Sequence, residues 1–168
     1  MDATTFVLLA SACAPLVDPG TARALVDVES AFDPHAIGVV GATLERQPRS
    51  ANEAVATAKR LQANGWNFSV GLAQINVHNF GRLGLTVTTA FEPCANLAAM
   101  QAVLLDCYQR ASTKGTAPQR ALRQALSCYY SGNFTAGIAH GYTRRVVQAA
   151  SASAARPLSS PPLAKESS

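Results

Sequence analysis

Asp18-Pro19-Gly20-Thr21-Ala22-Arg23-Ala24-Leu25-Val26-Asp27-Val28-Glu29-Ser30-Ala31-Phe32-Asp33-Pro34 decides how the rest of the chain is read. Asp18 suits a helix N-cap and Pro19 the first turn, where a missing N–H costs nothing. Ala24, Leu25, Val28 and Phe32 recur at helical spacing and make one apolar stripe. Glu29 follows Leu25 by one turn and adjoins Val28, so it lies at the border of that stripe. Pro34 is expected to end the helix, because the residue before a proline avoids the helical region. A carboxylate in such a place loses hydrating water and holds its proton more tightly.

The remaining elements follow from periodicity and punctuation. Gly38, Gly41 and Pro48 mark a loop with a short strand near residues 37–40. Ser50 with Glu53 makes a capping box for a helix that runs to Asn64 and stops at Gly65. Residues 66–70 read as extended and lead into Gly71-Leu72-Ala73-Gln74-Ile75-Asn76, followed by a short helix over 77–83. Pro93 opens a long helix with Leu97, Met100, Leu104, Cys107 and Tyr108 inward. Pro118 opens another, with Leu122, Ala125, Leu126 and Tyr129 inward and Gly132 as its stop. A final helix is expected from about residue 135 to 150. Residues 151–168 are rich in Ser, Ala and Pro and read as a disordered tail. The sum is a helix-dominated α+β domain at 18–150 with a small β region, preceded by an N-terminal segment at 1–17.

Bulk properties narrow the function. A chain of 168 residues with 48% hydrophobic side chains fits one domain with a true core. No apolar run reaches the ~18 residues that a membrane span needs. Asp2 stands where a signal peptide would carry Lys or Arg, so no convincing signal peptide is read here. Leu9-Ala10-Ser11-Ala12-Cys13 likewise lacks the basic residues of a lipoprotein signal. Residues 1–53 carry seven acids and three bases, whereas 54–168 carry three acids and eleven bases. The basic half suits an anionic polymer. Arg110, Arg120, Arg123, Arg144 and Arg145, all inside predicted helices, are expected to form one fixed basic surface. The bases are dispersed singly without a recognised motif, so nucleic acid is not the expected partner. Four cysteines lack zinc-site spacing, and their even number suits two disulfides in an oxidising compartment, with four buried thiols as the alternative.

Glu29-Ser30, Gly71-Leu72-Ala73-Gln74-Ile75-Asn76, Cys128-Tyr129-Tyr130-Ser131-Gly132-Asn133 and Gly141-Tyr142-Thr143-Arg144-Arg145-Val146 resemble, in that order, the signature of the lysozyme-like lytic transglycosylases. The closest likeness is to the small members that accompany type IV secretion and conjugation systems. The long interval from Glu29 to Gly71, Cys13-Ala14-Pro15 and Pro93-Cys94 fit that branch. The resemblance implies a lysozyme-like fold and peptidoglycan strands as substrate. It also implies type IV secretion subunits as partners, action in the periplasm as a monomer, and no cofactor or metal. It casts Glu29 as the catalytic acid, followed by the usual Ser30. Gly71, Leu72, Gln74, Asn76, Tyr129, Tyr130, Asn133 and Tyr142 become the expected substrate-binding set. Gly71 would let backbone approach the sugar, and Gln74 would offer both donor and acceptor. Tyr129 would orient Glu29 or hold an acetamido group, and Tyr142 would hydrogen-bond near Glu29 from the last helix. The expected disulfides are Cys13–Cys94 and Cys107–Cys128, one of three possible pairings.

The family's single Glu protonates the glycosidic oxygen and then takes the C6 hydroxyl proton, which closes a 1,6-anhydro ring on muramic acid. This explains why one carboxylate suffices where most glycosidases need two. Two departures stand out: Ala73 replaces a common Met, and Tyr130 replaces a usual Asn. Two other readings compete. One is a hydrolytic muramidase, with Asp33 as base. The other is a non-catalytic assembly factor that binds peptidoglycan or secretion subunits through its basic face.

Overall fold

The computed structural model describes residues 3–113 and 115–155. Eight helices and three short strands occur among them. Helix α1 spans Ala3–Cys13 and α2 spans Pro19–Ser30. Phe6, Ala10, Cys13 and Ala14 of the N-terminal region are buried, so this segment is a packed part of the core. The Asp18 carboxylate accepts from the Thr21 N–H at 2.8 Å and fixes the start of α2.

The end of α2 differs from expectation. Pro34 does not stop it; Ala31 does, in the left-handed conformation at φ 50°, and Phe32 follows at φ 64°. Phe32 therefore leaves the helical stripe, and its ring meets Phe6 edge-on at 5.2 Å between centroids. Two successive side-chain-bearing residues at positive φ store strain of roughly 1–2 kcal/mol each. The third such residue among those described is Gln74, at φ 48°. All three lie within a few residues of the site described below.

Strands β1 (Ile37–Val39), β2 (Phe68–Val70) and β3 (Ile75–Asn76) form an antiparallel sheet in that order. Ile37 pairs with Val70, and Val70 with Ile75. Helix α3 (Ala51–Ala63) bridges β1 and β2 in sequence, and its cap is the Ser50 hydroxyl, which accepts from Glu53 N–H. A single 3-10 turn at Val77–Asn79 leads into α4 (Phe80–Leu83), where one short helix is expected.

Helix α5 (Pro93–Ala111) packs against α6 (Pro118–Ser131) and α1, with Leu97, Met100 and Leu104 in the core. Tyr108 and Leu122, expected inward, are only half-buried. The predicted final helix is two helices, α7 (Ala136–Ala139) and α8 (Tyr142–Ala154), broken at Gly141 with φ 77°. The break aims α8 along α2, and the two helices pack together. Helix α8 also runs four residues into the stretch read as a disordered tail; the rest of that tail, from 156 onward, lies outside the described residues.

Cys13 is bonded to Cys94 and Cys107 to Cys128, with Cα separations of 5.2 and 5.8 Å. The first ties α1 to the start of α5, and the second ties α5 to α6. No helix among the described residues is long and apolar enough to cross a membrane.

Candidate active site

A cleft of about 930 Å³ opens between the sheet, α5 and the end of α6, with Glu29 in its lining. Leu25, one turn before Glu29 on α2, is buried in the core, and Val28 packs against that core. The Tyr142 hydroxyl, from the first turn of α8, donates to Glu29 Oε1 at 2.5 Å. Burial raises the Glu29 pKa from 4.5 to about 7, and this outweighs the opposing pull of the Tyr142 hydrogen bond and the Arg145 charge. Arg145 lies over the Tyr142 ring at 5.9 Å. Glu29 thus sits where it can hold or release a proton near neutral pH.

The loop over 71–74 is tied to the end of α2 beside Glu29, and side chains from three distant segments, together with Gln74 of the loop itself, claim backbone groups in and around it. Ser30 Oγ donates to Leu72 O at 2.7 Å, which ties the end of α2 to the loop. Tyr129 OH donates to Ala73 O at 2.7 Å. Gln74 Nε2 donates to Gly71 O and Ala36 O at 3.0 and 3.1 Å. Asn96, fully buried on α5, accepts from Ala73 N–H at 2.8 Å and donates to Val70 O and Ala90 O at 3.0 and 2.8 Å. No polar side-chain atom buried among the described residues lacks a partner.

Several expected roles change accordingly. Gly71 does not face the cleft. A Cβ there would fall 2.4 Å from Asn96 Nδ2, so Gly71 is required by Asn96 and by its own φ of 76°. Leu72 is core, and Ser30 is a tether. Gln74 lines the cleft, but its amide N–H groups are spent on backbone, leaving only its oxygen free to accept. Gly38 has no room for a Cβ, which would sit 2.7 Å from that oxygen. Asn76 lines the cleft while holding Asn67 and capping His78. Asn133 is outside the lining and caps α7 through Ala136 N–H. Tyr129 lines the cleft but bonds the loop, whereas Tyr142 makes the expected contact with Glu29. Burial and the nearby Glu29 push both tyrosine hydroxyls well above their usual range, so both stay protonated donors.

Asp33 caps His35 N–H at 2.8 Å and is absent from the cleft lining. The cleft's other carboxylate is Asp106, exposed and paired with Arg110 at 3.0 Å. The arginines of the expected basic surface line different features. Arg110 lines the cleft, Arg145 covers Tyr142, and Arg123 with Arg144 lines a separate recess of about 430 Å³. Sequence reasoning misses Asn96, and it reads Arg145 only as part of the basic surface, not as a neighbour of Tyr142. A polar residue next to Leu97 at the head of an inward stripe is the signal that could have identified Asn96.

The sequence pattern of the transglycosylase SLT domain matches residues 7–149. The type IV secretion system protein virB1 of Brucella suis biovar 1 (strain 1330) is 50% identical over 151 residues, covering 86% of this chain and 63% of the relative. Protein virB1 of Agrobacterium fabrum (strain C58 / ATCC 33970) is 43% identical over 143 residues, covering 82% and 56%. Protein virB1 of Rhizobium radiobacter is 40% identical over 152 residues, covering 89% and 62%. The chain therefore spans less than two thirds of these relatives' length. No solved structure gives a significant match. With the domain pattern running from α1 to α8, the chain belongs to the transglycosylase SLT domain family.

Proposed function

We propose that this chain is a lytic transglycosylase of peptidoglycan. It cleaves the β-1,4 bond between N-acetylmuramic acid and N-acetylglucosamine and leaves 1,6-anhydromuramic ends. The observation that carries this reading is a lone desolvated carboxylate, Glu29, with a pKa of about 7 and a tyrosine donor at 2.5 Å. The cleft's second carboxylate is exposed and committed to an arginine.

In the proposed reaction, protonated Glu29 gives its proton to the glycosidic oxygen as the bond from C1 to that oxygen breaks. The Tyr142 O–H then stabilises the carboxylate that forms. That carboxylate takes the proton of the C6 hydroxyl as its oxygen bonds to C1. No water is consumed, and Glu29 ends protonated, ready for another turn. Gln74 Oε1 is the polar acceptor in the wall, suited to an acetamido N–H. The relative named as a type IV secretion system protein supports a local role in opening the wall for such a system; we read the chain as acting in the periplasm and as a monomer.

The test is the mass of the muropeptides released from purified sacculi. Anhydro ends, lighter by one water than hydrolysis products, are expected. Reducing muramic acid ends would make the protein a hydrolase, and no release beyond a Glu29→Gln control would make it a binding factor.

A further inference from the structure

The surroundings of Tyr130 are unusual for a surface tyrosine. It lines the cleft and is 45% exposed, yet it is fixed on two sides. One ring face stacks on Tyr142, with centroids 4.7 Å apart and planes 21° from parallel. Its ring also meets the His140 ring edge-on at 6.1 Å. Tyr142 beneath it is 2% exposed and donates to Glu29. Much of the neighbouring wall is polar, with Asn67, Ser69, Gln74 and Asn76 in the lining.

An exposed aromatic ring in a polar cleft keeps apolar surface in contact with water, which is unfavourable until something covers it. Here the ring is already held, so covering it costs little further side-chain freedom. A pyranose with equatorial substituents offers a matching partner: a flat patch of axial C–H groups, with hydroxyls and acetamido groups pointing outward to the polar walls.

We propose that Tyr130 is the sugar platform of this cleft. It stacks on the C–H face of an N-acetylated pyranose next to the bond that Glu29 protonates. The inference rests on the glycan-cleaving reading above and names a residue that aligns the sugar. Because Tyr130 also covers Tyr142, a sugar seated on it closes water away from the Tyr142–Glu29 pair. Loss of the ring therefore raises KM more than it lowers kcat.

The experiment uses the full chain carrying Glu29→Gln, which binds without cleaving. It is titrated calorimetrically with peptide-free glycan strands and with tetra-N-acetylchitotetraose. Adding Tyr130→Ala is expected to weaken binding about tenfold, whereas adding Tyr130→Phe, which keeps the ring, leaves it within about twofold. Should Tyr130→Ala fail to fold, Tyr130→Leu keeps a cover over Tyr142 without a ring and is expected to show the same loss. Unchanged binding in the Ala or Leu variant overturns the platform, as does a Phe variant as weak as Ala. If the Glu29→Gln chain binds neither glycan, the glycan-cleaving reading falls, and the platform with it.

Discussion

Glu29 and Glu53 are the same side chain at opposite kinds of helix end. Glu53 lies in the first turn of α3, half-buried at the surface, pairing with Arg46 and accepting from the Arg49 N–H at 2.9 Å. The Arg46 hydrogen bond, and after it the Arg49 N–H, hold its carboxyl below the usual range. Glu29 lies in the last turn of α2, where the helix dipole disfavours negative charge, and burial raises its pKa to about 7. One glutamate is an always-charged cap; the other is a proton carrier. The difference comes from who supplies the partners. Those of Glu53 lie within seven residues, whereas the Tyr142 hydroxyl reaches Glu29 across 113 residues.

The largest effect expected from this contrast is on Glu29 itself. Glu29→Gln should lower release from sacculi at least about a thousandfold, since it removes both the acid and the base. Its stability should change in the opposite sense. Folded Glu29 keeps a proton between pH 4.5 and about 7 that the unfolded chain has released, so wild-type stability falls as pH rises through that window. Above it, the penalty is on the order of 3 kcal/mol. Glu29→Gln should thus match the wild-type thermal midpoint at pH 4 and exceed it at pH 8. A lower midpoint at both pH values would make Glu29 a structural residue.

Next in size is Asn96→Ala. It strips partners from Ala73 N–H, Val70 O and Ala90 O, and should cost about 3 kcal/mol in denaturant unfolding, with activity falling alongside. A loss below about 1 kcal/mol would mean that the loop over 71–74 holds itself. Tyr142→Phe should lower kcat about tenfold, the scale of one hydrogen bond to a charged group. Its hydroxyl pulls the Glu29 pKa down, so the variant's activity should persist to higher pH than the wild type's. An upper limb that moves to lower pH would contradict the assigned contact. Smallest is Glu53→Gln, expected to lower the thermal midpoint slightly and to leave cleavage unchanged.

The same contrast explains what could be read from the sequence. The starts of α2 and α3 follow from local chemistry, Asp18 with Pro19 and Ser50 with Glu53, and they appear where expected. Gly65 and Gly132 end α3 and α6 as expected, but two other boundaries depend on distant packing. Ala31 ends α2 before Pro34 can act, in a left-handed conformation that the sequence does not favour and that Phe32 packing on Phe6 accompanies. Gly141 splits the final helix because α8 must turn toward α2 to deliver Tyr142. The site shows the same division. Gly71 and Asn133 carry the residue types of a binding site, but one makes room for Asn96 and the other caps α7. A motif gives residue types in order. It does not say which face of a loop a helix tens of residues away will occupy.

The most direct test is a titration of the glutamate side-chain carboxyls by carbon NMR in the intact chain, with Glu29→Gln used for assignment. Glu29 is expected to titrate with a midpoint near 7, while Glu53 in the same spectra titrates below 4.5. A Glu29 midpoint at or below 4.5 would mean that water reaches the carboxyl freely, and the proton carrier at the centre of this account would be absent.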